Sequence, residues 1–195
     1  MNEISEKFRS AIERFDAANA NDPDGEALLY AQRMSEWLEK LAPDASEALK
    51  LAARSQHIRR WEIPRNRYPM NRAGYHRWRN ELAAFHAKLA GEILREVGYD
   101  EATVGRVQSL LKKERLKEHP EAQLLEDVIC LVFLEHYFPE FAGKHNEEKV
   151  IGILRKTWRK MSERGHEAAL KLPMGADERR LIEKALSPGA EEGTK

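Results

Sequence analysis

Cysteine is nearly missing from this chain: its 195 residues include one, Cys130. A lone thiol cannot form an internal disulfide, so a disulfide-stapled fold is excluded and a reducing compartment is the natural setting. Long apolar runs are missing as well. The longest, Val128 to Leu134, falls far short of the ~20 residues that span a bilayer. Met1 to Arg14 alternates charged and apolar residues, so no secretory leader of the usual kind is expected there, and the expected setting is cytoplasmic with no membrane partner. Excess charge of one sign is the third absence, because 33 Lys+Arg face 33 Asp+Glu. Proteins that coat nucleic acid or anionic membrane usually carry a basic excess, so wholesale polyanion binding is excluded. The eleven glycines are scattered, mostly at expected helix ends, and form no phosphate-cradling loop.

What is present is helical periodicity. Apolar residues recur at steps of three and four nearly throughout, and alternation over a strand's length is hard to find. The pattern predicts an all-α fold: a single domain over residues 1–187 with about eight or nine helices, and a disordered tail over 188–195. Ile4, Phe8, Ile12 and Phe15 stripe the first helix, and a second runs from about Glu26 to Leu41. Asp44 or Ser46 can cap a third, expected to continue through Gln56-His57 to about Trp61. Pro64, Pro69 and Gly74 mark a long loop. A long helix then runs from about Gly74 to Val97 with Trp78, Leu82, Phe85, Leu89 and Ile93 inward, ending at Gly98, and Asp100 caps a fifth. The sixth, about Glu121 to Phe138, is apolar on every side, which predicts a central, covered helix ended by Pro139 and Gly143. Three shorter helices complete the chain.

The charge balance hides a concentration. Residues 54–79 hold eight arginines and one acid, Glu62, a formal +7 that leaves −7 for the rest. No lysine is among them. Guanidinium grips phosphate or carboxylate in a planar fork and stacks on aromatic faces, here Trp61, Tyr68, Tyr75 and Trp78. Arg59, Arg60, Arg65, Arg72 and Arg79 are therefore candidate anion-binding residues for a small phosphorylated or sulfated ligand, with single-stranded RNA as a lesser possibility. The plainer alternative is that these arginines pair with acids on neighbouring helices.

Polar residues on apolar faces are the second anomaly. His57 follows Ala53 by four, His86 follows Leu82 by four, and Glu126 and Asp127 sit inside the apolar sixth helix. A buried carboxylate needs an arginine, a histidine or a metal. His57, His86 and Asp127 are of the ligand types that hold one divalent metal (Zn, Mn or Fe) in a helical bundle, whereas the alternative is an internal pair with no metal. Cys130 lies in the most apolar stretch, where burial makes a thiol inert.

Phe8-Arg-Ser-Ala-Ile-Glu-Arg-Phe-Asp-Ala-Ala-Asn19, Ala52-Ala-Arg-Ser-Gln-His-Ile-Arg-Arg-Trp-Glu-Ile-Pro-Arg65, Leu125-Glu-Asp-Val-Ile-Cys-Leu-Val-Phe-Leu-Glu135 and Arg155-Lys-Thr-Trp-Arg-Lys-Met-Ser162 resemble the blocks of a family catalogued as a domain of unknown function. Some of its members carry a glutamyl-tRNA synthetase label, matched by a passing likeness of His57-Ile-Arg-Arg and Lys160-Met-Ser to class I synthetase signatures. Those signatures work on loops of a parallel sheet, which a strandless chain lacks. More distantly, Tyr30-Ala-Gln-Arg-Met34, Ala52 to Ile58, His86 and Glu126-Asp127 resemble the element spacing of the HD superfamily of all-α metal-dependent phosphohydrolases. Gln32 stands where that family has its first His, and Gln56-His57 replaces the His-Asp doublet.

That resemblance implies an HD-like bundle and one metal held by His57, His86 and Asp127. His57, Asp127 and Glu126 would be catalytic, and the arginine loop would grip the phosphate of a ligand such as a nucleotide. Two readings from other classes stand beside it: a non-catalytic binder of an anionic metabolite or RNA, and an interaction scaffold whose arginines meet an acidic partner.

Overall fold

The computed structural model describes residues 5–114 and 119–187, and the expected disordered tail at 188–195 lies outside them. Among the described residues there are ten α-helices and no strand, so the all-α expectation holds, with one helix more than expected. The chain divides into two compact units, residues 1–125 and 126–195. No helix among the described residues is long and apolar enough to cross a membrane.

The first unit contains α1 (Glu6–Asn19), α2 (Glu26–Leu41), α3 (Glu47–Ser55), α4 (Arg72–Val97) and α5 (Glu101–Lys112). Polar side chains set their starts by accepting otherwise orphaned amide protons: Ser46 from the Leu49 N–H, Asn71 from Gly74 and Asp100 from Thr103. Gly98 ends α4 with φ of 91°. Phe15, Met34, Leu49, Leu51, Leu82, Leu94, Val104 and Leu111 are buried in this unit. The inward face of α4 is rotated from the expected one. Ala87, Ala90 and Gly91 are buried, while Phe85, Leu89 and Ile93 are only half-buried. α5 packs on that side, and a Cβ on Gly91 would sit 2.4 Å from the side-chain Nε2 of Gln108, which donates to the Ala87 carbonyl at 3.0 Å.

The third helix stops six residues earlier than the periodicity predicts. Asn19, buried at the end of α1, accepts the Arg59 N–H at 3.1 Å, and Arg59 takes a left-handed backbone with φ of 50°. Chain direction changes there, so Gln56, His57 and Ile58 form a turn and Ile58 plugs the core. Two short 3-10 turns follow, Arg60–Glu62 and Arg65–Arg67. Arg65 templates the rest of the loop by donating to the carbonyls of Tyr68 (3.0 Å), Pro69 (2.8 Å) and Asn71 (3.4 Å). The loop closes against α4 at Gly74, where a Cβ would lie 2.1 Å from the Pro69 carbonyl oxygen.

α6 (Pro120–Val132) spans the division between the units, and Leu125, Val128, Leu131 and Val132 are buried, as expected for a covered helix. Pro139 does not end the helical run. One π-turn, Phe133–Tyr137, leads into α7 (Phe138–Lys144), which holds Pro139 in its first turn. A proline ring collides with the carbonyl four residues back in an α-helix, and the wider turn relieves that collision. The second unit continues with α8 (Glu147–Trp158), α9 (Glu163–Ala169) and α10 (Ala176–Leu186), with α8 packed on α10. His57-Ile-Arg-Arg and Lys160-Met-Ser, expected on helices, both begin in turns.

Gly74→Ala forces the Pro69 carbonyl away from α4. An overpacked contact of this kind costs about 1–3 kcal/mol, so urea unfolding of the variant should show a lower midpoint with an unchanged m-value. An unchanged midpoint would mean that the 64–71 loop is not fixed at this contact.

Candidate functional site

The turn after α3, the middle of α4 and the end of α5 enclose a cavity of about 250 Å³ in the first unit. Gln56, His57 and Arg60 come from the turn, Arg79, Asn80 and His86 from α4, and Lys112 and Lys113 from α5, with Leu82, Ala83 and Leu111 supplying the apolar part. Four cationic side chains and two imidazoles thus face one small space that no carboxylate of the described residues lines, although Lys112 pairs with Glu114 at 3.8 Å.

Each cation reaches the cavity by a different device. Arg60 lies with its guanidinium 4.8 Å from the Trp78 ring centroid, and its Nη1 donates to His57 Nε2 across 3.2 Å. A donor there makes Nε2 the unprotonated ring nitrogen of His57. Trp78 is itself locked, because its indole N–H donates to the Ile63 carbonyl at 2.8 Å. Arg79 forms no ion pair or hydrogen bond among the described residues. Lys113 closes α5 in a left-handed conformation with φ of 58°. Arg59 and Lys113 are the two non-glycine residues of positive φ among those described, and one precedes a cavity residue while the other is one. Such backbone persists only where surrounding structure over-determines it, and it gathers at ligand sites.

The imidazoles are held neutral. His57 stacks on Tyr30 with ring centroids 4.4 Å apart, and 5.7 Å separates it from His86. Burial first, then Arg60, His86 and Arg79, push the His57 pKa well below its usual value. Burial, with Arg60 and Arg79 adding to it, lowers His86 to about 3. His86 is 3% exposed and Gln56 4%, and each carries a buried atom with no hydrogen-bond partner, Nε2 and Oε1 respectively. Buried polar atoms are normally paired, and both of these are placed to bond a water or a ligand group in the cavity.

The predicted anion-binding arginines separate into two sets. Arg60 and Arg79 line the cavity. Arg59 is paired with Glu62, Arg65 is spent on loop carbonyls, and Arg72 is exposed at the start of α4. Two others in the stretch are structural in the same sense: Arg54 grips Asp16 with two hydrogen bonds, 2.7 and 2.6 Å, and Arg67 donates to the Glu62 carbonyl at 2.9 Å. Lys112 and Lys113 were not singled out from the sequence. The only local sign of them is a doubled lysine at a helix end, which the helix dipole alone accounts for.

The expected carboxylates belong to the second unit. Asp127, 1% exposed, accepts the Ser162 N–H at 2.8 Å and the Ser162 hydroxyl at 2.5 Å, so it braces the residue that caps α9. Gly165 fits closely beside it, since a Cβ there would lie 2.8 Å from Asp127 Oδ1. Glu126, 3% exposed, faces Lys160 at 3.6 Å. Among the described residues no three His, Cys, Asp or Glu side chains form a group that could hold a metal.

A family model described as Domain of unknown function (DUF4202) matches residues 9–182. No curated protein and no solved structure matches the chain.

Two outcomes follow from this geometry. In the unfolded chain His86 takes up a proton near pH 6.5, whereas in the folded chain it stays neutral down to about 3. Its contribution is complete above pH 6.5 and is lost as pH falls, by about 1.4 kcal/mol per pH unit. His57 acts in the same direction. Urea melts between pH 7 and 5.5 should show this slope, and His86→Leu should flatten it; parallel curves would mean that His86 is not held neutral. Asp127→Ala strips two hydrogen bonds from a charged acceptor and should cost about 2–3 kcal/mol of stability, read as a lowered urea midpoint.

Proposed function

The chain belongs to that DUF4202 family, and from the residues of its first unit we propose that it binds a small anion carrying a phosphate or sulfate group in the cavity between α3, α4 and α5. The observation that carries the reading is the charge of the lining among the described residues: Arg60 and Arg79, neither facing a carboxylate there, with Lys112 and Lys113 at the rim, where Lys112 pairs with Glu114. Guanidinium charge in a half-desolvated space costs free energy until a counter-charge enters, and a phosphoryl group supplies it with three acceptor oxygens. Arg60 is pre-set by Trp78 and His57, so it binds without first being ordered. Unpaired Arg79 supplies a second fork.

The cavity supports binding more than metal-dependent hydrolysis. An HD-type mechanism needs carboxylate beside histidine to hold its metal, and His57 and His86 have arginines as their nearest charges. Nor is there a carboxyl in the lining to protonate a leaving group. An extended RNA is a weaker fit than a small ligand, because four of the eight arginines between residues 54 and 79 are engaged with Glu62, Asp16 or backbone carbonyls.

Sulfate is the probe of choice, since it does not titrate between pH 5 and 8. Adding it at low ionic strength should raise the melting temperature, and Arg79→Ala should weaken binding by about tenfold or more, as expected for a lost charge-assisted hydrogen bond. If neither sulfate nor inorganic phosphate moves the melting temperature, the proposal fails.

A further inference from the structure

Arg72, Tyr75, Arg79 and His86 fall on one stripe of α4, at steps of three, four and seven residues. Arg79 and His86 line the cavity, and Tyr75 lies one turn outside it, about 6 Å along the axis from Arg79. Tyr75 is 46% exposed, the most exposed aromatic ring in this part of the molecule. The His76 ring meets it edge-on at 5.8 Å, and the Trp78 ring, over which Arg60 is laid, is 5.9 Å away. A ring with an open side therefore stands one helical turn from Arg79, beside the indole on which Arg60 lies. One helical turn is also close to the span between a phosphate and the base of the same nucleotide.

We propose that Tyr75 seats a planar ring of the ligand, so that the bound anion is a nucleoside monophosphate, its phosphate in the cavity and its base stacked on Tyr75. This rests on the anion-binding reading of the cavity and adds the residue and the chemical class that select among phosphate esters. Arg72, exposed one turn further along the stripe, is placed to stack on or bond the outer edge of the same ring. Stacking needs no particular base edge, so both purine and pyrimidine nucleotides are accepted.

Calorimetric titration of the full chain with AMP, UMP, ribose 5-phosphate and inorganic phosphate separates the two ideas. The nucleotides should bind about tenfold more tightly than ribose 5-phosphate, the gain expected for one base stacked on one aromatic ring. Tyr75→Ala should abolish that advantage and leave the affinity for inorganic phosphate unchanged, and Tyr75→Trp should keep the advantage. Equal binding of nucleotide and ribose 5-phosphate, or an advantage that survives in Tyr75→Ala, overturns the role of Tyr75 while the anion site stands. Failure of all four ligands overturns both.

Discussion

A guanidinium taken out of water without a carboxylate must be held by something else, and around Arg60 that constraint organises the first unit. An indole face lies against it and a neutral imidazole accepts from it. The indole is anchored by Ile63, which fixes where the loop leaves the turn after α3. The imidazole is held by stacking on Tyr30 of α2. Burial, with Arg60 and Arg79 adding to it, opposes protonation of either histidine, so the site keeps its cations as guanidinium and ammonium and its histidines as neutral donors and acceptors. The chemistry that suits this arrangement is the recognition of negative charge.

Helix positions were readable wherever the information is local. Ser46, Asp100 and Gly98 mark helix ends through their own side chain or backbone freedom, and all three do so here. The end of α3 was not readable, because it is enforced by Asn19, forty residues away, catching the Arg59 N–H. Pro139 misled for the opposite reason. Its local meaning, a break, is correct for an α-turn, and the chain answers with one π-turn instead of stopping.

The site was legible in part, along the same line. Arg60 and Arg79 stood out through composition, and His86 through its place on an apolar face. Which arginines remain available depends on who else binds them: Glu62 takes Arg59, and three carbonyls take Arg65. Lys112 and Lys113 reach the cavity because α5 packs along α4, a tertiary fact with no signature in the lysines themselves. For Asp127 the sequence correctly demanded a partner. The partner is Ser162, a hydroxyl and an amide at a helix start, which look from sequence like an ordinary cap.

The clamp of Arg65 on the carbonyls of Tyr68, Pro69 and Asn71 has a consequence in time as well as in space. A loop of this length left unrestrained would sample many shapes, and a ligand would wait for the one that presents Arg60 correctly. With its turns tied by one of its own arginines and its end pressed on Gly74, the segment holds one shape without help from a ligand. For the proposed anion, association would then be governed by diffusion and charge, and the lifetime of the complex by how firmly the cations hold it.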